Sequence, residues 1–314
     1  MSAAAWPLYG HALAEGAFLE AAASGRLHHA WLLEGPSGIG KARLARRFAG
    51  YLLGAKGADG TGLDAGSDDP IVALMDAGGH PDLRWLSRAP DEKGKVPQDI
   101  KVDEIRALSR FFALRPAMGG WRIGVIDAVD ELNRSGANAL LKTLEEPPEK
   151  AVLFLIYHGE RPILPTIRSR CRRLRLEPIA EDETRAVLAM AGERDNDRLV
   201  RLAAGRPGRA LRFATAHGSA ALAAAEAILK AMPKPAAGQL SDAIARASVS
   251  DDAFDAFSGQ LLDWAEAKAT HSPAFADTWL WLSRTLSEAR EANMDRSQTT
   301  AKLVAGLQKA VAAS

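Results

Sequence analysis

Cysteine is almost missing from this sequence: the 314 residues contain one, Cys171. A lone thiol excludes an internal disulfide framework and any cysteine-based zinc site, and it suits a reducing cytoplasm. Net charge is equally scarce, since 40 Lys and Arg against 39 Asp and Glu leave a formal +1. A chain that coats nucleic acid electrostatically carries a marked basic excess, so any DNA contact has to come from a local patch. No apolar run is long enough to span a membrane. The segment Trp6-Pro7-Leu8-Tyr9-Gly10-His11 has neither the basic flank nor the long apolar core of a signal peptide. The expectation is a soluble, cytoplasmic protein, and at this length one with two or three domains.

What is present is organised around Gly35-Pro36-Ser37-Gly38-Ile39-Gly40-Lys41-Ala42, between the apolar run Ala30-Trp31-Leu32-Leu33 and an amphipathic run starting at Lys41. Strand, glycine-rich turn and helix make a phosphate-binding loop, in which backbone N–H groups and a helix N-terminus face the phosphates. Lysine is in place at Lys41, but Ala42 stands where a Ser or Thr hydroxyl would reach Mg²⁺.

Residues 11–24 read as a helix ended by Gly25. His28 and His29 lack an acid or thiol at ligand spacing, so they read as turn residues beside the loop. Leu44, Phe48, Tyr51 and Leu52 form an apolar helix face, with Arg43, Arg46 and Arg47 largely on the opposite, solvated side. Gly54 to Gly79, including Ala58-Asp59-Gly60-Thr61-Gly62, reads as a surface excursion that is flexible at its centre. A short strand over Leu83 to Leu86 precedes a second polar loop that runs to Asp99. Val102, Ile105, Leu108, Phe111 and Phe112 mark a helix stopped by Pro116. Arg122 to Asp127 is a buried strand ending in a carboxylate, where phosphate-loop proteins support the metal ion. A helix over Asn133 to Glu146 and a central strand over Val152 to Ile156 follow.

This alternation predicts a three-layer α/β domain with a mainly parallel sheet. From Glu177-Pro178 onward the remainder is helical, in two parts, with Met232-Pro233-Lys234-Pro235 as the linker. Phe254, Phe257, Leu261, Trp264, Trp279, Leu282, Leu286, Leu303, Leu307 and Val311 form the core stripes of its final bundle. The expected boundaries are 1–177, 178–217 and 218–314.

Four pieces together, Leu27-His28-His29-Ala30, the loop, Asn138-Ala139-Leu140-Leu141-Lys142-Thr143-Leu144-Glu145-Glu146-Pro147-Pro148 and Ile167-Arg168-Ser169-Arg170-Cys171, resemble the bacterial DNA polymerase III clamp-loader family of AAA+ ATPases. The resemblance covers about the first 215 residues, and its most specific part is the Leu-Leu-Lys-Thr-Leu-Glu-Glu-Pro-Pro run with Ser-Arg-Cys downstream. It implies an AAA+ P-loop domain, a small helical lid and a C-terminal helical collar. In that family the Ser-Arg-Cys arginine, here Arg170, projects into the nucleotide site of a neighbouring subunit. The physical case is a fixed guanidinium supplying charge as the γ-phosphate transition state forms.

Departures from the family pattern bear on the chain's own site. Active relatives follow the strand's carboxylate with a second acid that orients the attacking water, and here the pair is Asp127-Ala128. Ala42 and Ala128 together imply very slow hydrolysis. The glycines and Lys41 leave two states open, a held ATP or an empty loop. A further family arginine aligns with Gly208, leaving Arg209 one place on, about 100° round a helix. Many relatives hold zinc through four cysteines, and Gly54 to Gly79 has none, so zinc is excluded. These losses select a family member that keeps the trans arginine without its own catalysis. The implied partners are the gamma/tau ATPase subunits, delta, the sliding clamp and primer-template DNA within a DNA-directed DNA polymerase holoenzyme, with no membrane. The rival readings are an active gamma/tau-like motor subunit and, more weakly, a small-molecule phosphotransferase.

Overall fold

The structure is a computed structural model that describes residues 5–57, 63–88, 97, 99–193, 197–269, 272–292 and 294–313. The centre of the glycine-rich excursion, Ala58 to Gly62, and most of the second polar loop, 89–96 and 98, lie outside the described residues. The chain forms two compact units. One is Met1–Val187 with Ala204–Pro207, and the other is Leu188–Ala203 with Gly208–Ser314.

The first unit holds a five-stranded parallel sheet made of β1 (Ala30–Glu34), β2 (Leu83–Ser87), β3 (Arg122–Asp127), β4 (Ala151–Tyr157) and β5 (Arg172–Arg175), in the order β2-β3-β4-β1-β5. Its helices are α1 (Ala12–Ala23), α2 (Lys41–Leu53), α3 (Pro70–Asp76), α4 (Val102–Phe112), α5 (Arg134–Glu145) and the single turn α6 (Pro165–Arg168).

Period-two alternation along the strands sorts two buried layers. Trp31 and Leu33 of β1 join Phe18 of α1, Leu44 and Phe48 of α2, and Val125 and Phe154 on one face. Ala30 and Leu32 join Ile105 and Leu108 of α4, Leu140 and Leu144 of α5, and Ile126 and Leu155 on the other. The expected three layers are therefore present. Phe18 and Phe48 stack at 3.9 Å between ring centroids, locking α1 to α2. Helix starts follow side-chain chemistry: Asn133 Oδ1 accepts from Gly136 N at 2.9 Å at the head of α5, and Asp69 Oδ1 accepts from Ile71 N at 2.7 Å at the head of α3.

Two local expectations need correction. Arg47 does not lie on a solvated face: it is 4% exposed and reaches Glu15 at 2.7 Å and Asp64 at 2.6 Å. It sits one turn before Tyr51 and so shares the side of α2 that α1 covers; its charge, not its helical spacing, suggests solvent. The arginine tract after the central strand also contains β5, which the apolar-run rule passes over because only Leu174 of its four residues is buried.

The first unit ends within α7 (Glu181–Met190), at Val187. The second unit is helical: it takes up the end of α7 and continues with α8 (Asp197–Ala203), α9 (Pro207–Ala214), α10 (Ala216–Lys230), α11 (Ala237–Ser248), α12 (Asp251–Ala269), α13 (Pro273–Glu291) and α14 (Arg296–Ala313). Phe254, Phe257, Leu261, Leu282, Leu286, Leu303 and Leu307 are in its core, with Trp264 and Trp279 packed against it, as the stripes predict. The Trp281 ring lies on Gly306, where a Cβ would overlap the ring. Among the described residues no helix is long and apolar enough to cross a membrane.

Candidate functional site

The carboxyl ends of β1, β3 and β4 bring together Gly35, Asp127 and His158, the place where open parallel sheets present their ligand crevice. The loop's shape depends on its glycines. Gly35 has φ +149° and a Cβ there would stand 2.5 Å from the Leu176 carbonyl, while Gly38 and Gly40 have φ +86° and +105°. Gly40 begins α2 with no side chain capping it, so the first-turn N–H groups have no side-chain acceptor and are free to face an anion. The turn Pro36-Ser37-Gly38 is half-buried and Ile39 is buried. The Ile39 carbonyl accepts from His11 Nε2 at 2.7 Å, a loop anchor that sequence reading missed. A carbonyl can only accept, so His11 carries its proton on Nε2.

Lys41 is 2% exposed, and its Nζ donates to the Gly35 carbonyl at 2.5 Å and the Pro36 carbonyl at 2.7 Å. Burial pulls its pKa down to about 8, opposed by Asp130, Asp127 and Glu160. The ammonium thus sits in a ring of oxygens, and a phosphate entering the loop would replace two carbonyls as its acceptors. Ala42 is half-buried beside it and offers no hydroxyl. The cradle fits the phosphates of a nucleotide; it does not fit a metal held by a helix hydroxyl.

Asp127 lies 3.7 Å from His158 Nε2. The next residue is Ala128, buried, so no second carboxylate follows it. The buried carboxylate nearby is instead Asp130, which accepts from His158 N at 3.4 Å and Glu160 N at 3.0 Å and holds the loop after β4. Glu131 pairs with Arg88, and burial still pushes its carboxyl upward. Beside Gly35 and Pro36 lies a cleft of about 210 Å³ that Arg168, Arg173 and His158 also line. Glu34, the last residue of β1, is buried there; its Oε2 accepts from Arg173 Nε at 2.9 Å and Nη2 at 2.7 Å, and its Oε1 is 3.3 Å from Arg168 Nε. Among the described residues no group of His, Cys, Asp or Glu could hold a metal ion.

The Ser-Arg-Cys tract follows α6. Ser169 Oγ and Arg170 Nη1 both donate to the Thr166 carbonyl, at 3.2 and 3.1 Å. Cys171 is partly buried against the layer that holds Ala30, Leu32 and Leu140, and burial, aided by Glu34, pushes its thiol up to about 12. Arg170 Nη2 meets Glu145 Oε1 at 3.0 Å, with the two side chains 37% and 48% exposed. A pair this exposed contributes about 0–1 kcal/mol. Glu145 is the first glutamate of the Leu-Leu-Lys-Thr-Leu-Glu-Glu-Pro-Pro run and the last residue of α5. His29 Nε2, from the turn before β1, donates to the neighbouring Leu144 carbonyl at 3.1 Å. Three of the four sequence pieces that carried the resemblance are therefore linked, by one hydrogen bond and one ion pair.

Arg209 lies in the helical unit, where Nη2 pairs with Asp263 Oδ2 at 2.8 Å and the guanidinium lies 5.1 Å over the Phe213 ring. Sequence reading did not single out His11, Glu34, Asp130 or His158. Glu34 alone left a trace, a charge ending an otherwise apolar run beside the loop.

Comparison with known proteins bears on the first unit above all. The model of the family described as DNA polymerase III, delta subunit, matches residues 11–180. The chain is 41% identical over 143 residues to DNA polymerase III subunit delta′ of Pseudomonas aeruginosa, which is 46% of this chain and 41% of that protein. It is 36% identical over 193 residues to DNA polymerase III subunit delta′ of Escherichia coli K12, covering 60% of this chain and 55% of that protein. To DNA polymerase III subunit tau/gamma of Haemophilus influenzae it is 34% identical over 164 residues, covering 52% of this chain and 22% of that protein. The chain thus spans about half, or less, of the length of the relatives it matches.

Proposed function

The chain belongs to the DNA polymerase III delta-subunit family, and we propose that it acts as a delta′-type clamp-loader subunit that gives Arg170 to the nucleotide site of a neighbouring ATPase subunit. The observation that carries this reading is the setting of Arg170. It is half-exposed, held by Glu145 and the Thr166 carbonyl rather than by the loop of its own chain, and so is presented at the surface. The chain's own loop keeps the phosphate cradle and Lys41 but has alanine at both positions expected to support metal and water, Ala42 and Ala128. ATP, if held, would rest on the loop N–H groups and Lys41, with Asp127 as the remaining carboxylate, and would supply binding energy rather than turnover. Arg209, the remaining residue that this reading counts as nucleotide-binding, is engaged by Asp263.

Within this reading the chain assembles with gamma/tau ATPase subunits and delta through its C-terminal helices, in three domains bounded near 177 and 217. The complex loads a sliding clamp on primer-template DNA in the cytoplasm. A guanidinium supplied in trans contributes on the order of 10³ or more in rate to phosphoryl transfer. In the assembled complex, Arg170→Ala is expected to lower clamp- and DNA-stimulated ATP hydrolysis sharply without preventing assembly; unchanged turnover overturns the proposal. The likeness to a tau/gamma subunit keeps one rival in view, an active motor. Hydrolysis by the purified chain with Mg²⁺, abolished by Lys41→Met, would favour that rival.

A further inference from the structure

We propose that Glu145 is a positioning residue for Arg170, holding its guanidinium in the orientation it delivers to the neighbouring site. The inference rests on the reading of Arg170 as an arginine given in trans, and it concerns how that arginine is prepared.

The geometry begins at the strand that feeds the phosphate loop. His29 precedes β1, and its Nε2 donates to the Leu144 carbonyl at 3.1 Å. Such C-terminal carbonyls have no partner inside their own helix, so this bond fixes the last turn of α5. Burial and the neighbouring His28 lower the pKa of His29, which keeps the ring neutral at physiological pH. Glu146 N donates to the Lys142 carbonyl at 3.0 Å and tightens the same turn. Glu145, between these two tied residues, projects an oxygen to 3.0 Å from Arg170 Nη2.

Arg170 is then gripped at two points. Nη2 is held by a carboxylate from α5, and Nη1 by the Thr166 carbonyl of α6 at 3.1 Å. A planar guanidinium held through both terminal nitrogens has its plane set, and three of its five N–H donors remain for another acceptor. A free arginine would lose much side-chain freedom on reaching a phosphate. Here that ordering is largely done beforehand. The pair is also half-exposed, so it is weak enough for a phosphate oxygen to compete with it. Glu145 therefore orients Arg170 without trapping it.

The test uses the assembled complex with its ATPase partners, clamp and primed DNA, comparing Glu145→Ala, Glu145→Gln, Arg170→Ala and the double variant Arg170→Ala with Glu145→Ala. Removing a preorganising contact of this exposure is expected to lower kcat about three- to five-fold. The KM for ATP should not change, because Glu145 touches no ground-state nucleotide. Glu145→Gln keeps an acceptor oxygen and is expected to restore at least half of the loss. In the Arg170→Ala background, Glu145→Ala should have no further effect, since there is no guanidinium left to position.

Wild-type turnover in Glu145→Ala, with the Arg170→Ala loss intact, overturns the Glu145 proposal alone. So does higher turnover, which would mean that the carboxylate restrains the arginine. A further drop in the double variant, or a melting temperature of the isolated chain more than about 3 °C lower, would make Glu145 a structural residue and also overturn the proposal. No loss in Arg170→Ala overturns the trans-arginine reading on which it stands.

Discussion

Arg47→Met is a sharp test of how the α/β unit is held together. The guanidinium is 4% exposed and reaches three acceptors: Glu15 Oε1 at 2.7 Å, Asp64 Oδ1 at 2.6 Å and the Trp6 carbonyl at 3.3 Å. Methionine keeps most of the apolar stem, so the loss is mainly polar. Removing one member of a fully buried ion pair costs about 3–5 kcal/mol, because the other charge stays stranded. That limit does not apply in full here. Asp64 is 68% exposed and can return to water at almost no cost, whereas Glu15 is 22% exposed and cannot do so completely. The Trp6 carbonyl loses one donor, about 1 kcal/mol. The expected destabilisation is about 2–3 kcal/mol, or a fall of about 1 M in the urea midpoint at a slope near 3 kcal/mol per M. Tryptophan fluorescence can follow it, since Trp6 packs over Gly50 of α2 and belongs to this unit. Adding Glu15→Gln to Arg47→Met is expected to recover about half of the loss by removing the stranded charge. A shift under about 0.5 kcal/mol in the single variant would refute the burial reasoning and return Arg47 to an ordinary solvated face.

Two further measurements probe the site. Lys41 has a folded-state pKa of about 8, below the roughly 10.4 of an unfolded lysine, so between those values the unfolded chain binds more protons and stability rises with pH. The rise is expected to reach about 1.4 kcal/mol per pH unit and to vanish in Lys41→Met; parallel profiles for the two proteins would count against a desolvated ammonium. Cys171, with its thiol pushed up to about 12, should alkylate with iodoacetamide at pH 8 about a thousand-fold more slowly than a free thiol, and at the ordinary rate in urea. Fast labelling of the native chain would contradict its packing.

Much of the fold is legible in the sequence because the strands are buried on both faces and alternate with helices. Val152 to Ile156 and Arg122 to Asp127 leave little choice of assignment, and Asn133 announces α5 by its capping chemistry. The shape of the loop from Gly35 to Gly40 is legible for a similar reason, since its glycines are demanded by backbone angles. What fails to show is whatever depends on a distant partner. Arg47 looks like a surface residue until α1 brings Glu15 to it. β5 looks like a basic loop because its neighbour β1 supplies the hydrogen bonds, and three of its four side chains need no burial. His29 has no visible purpose at its own position; its role appears only when Leu144, 115 residues away, is placed beside it. Glu145 lies inside a recognisable run, yet nothing local says which arginine it meets.

That short β5 has a consequence for solubility. It is the outer strand of the sheet beside β1, and an outer strand offers unpaired backbone groups to any passing chain. Arg172, Arg173 and Arg175 occupy three of its four positions. Arg173 and Arg175 are paired with Glu34 and Glu177, so a second copy approaching edge to edge would have to accommodate these long charged side chains, a hindrance to pairing more than a bare repulsion. The arginine tract therefore also guards the sheet against growing into its own twin.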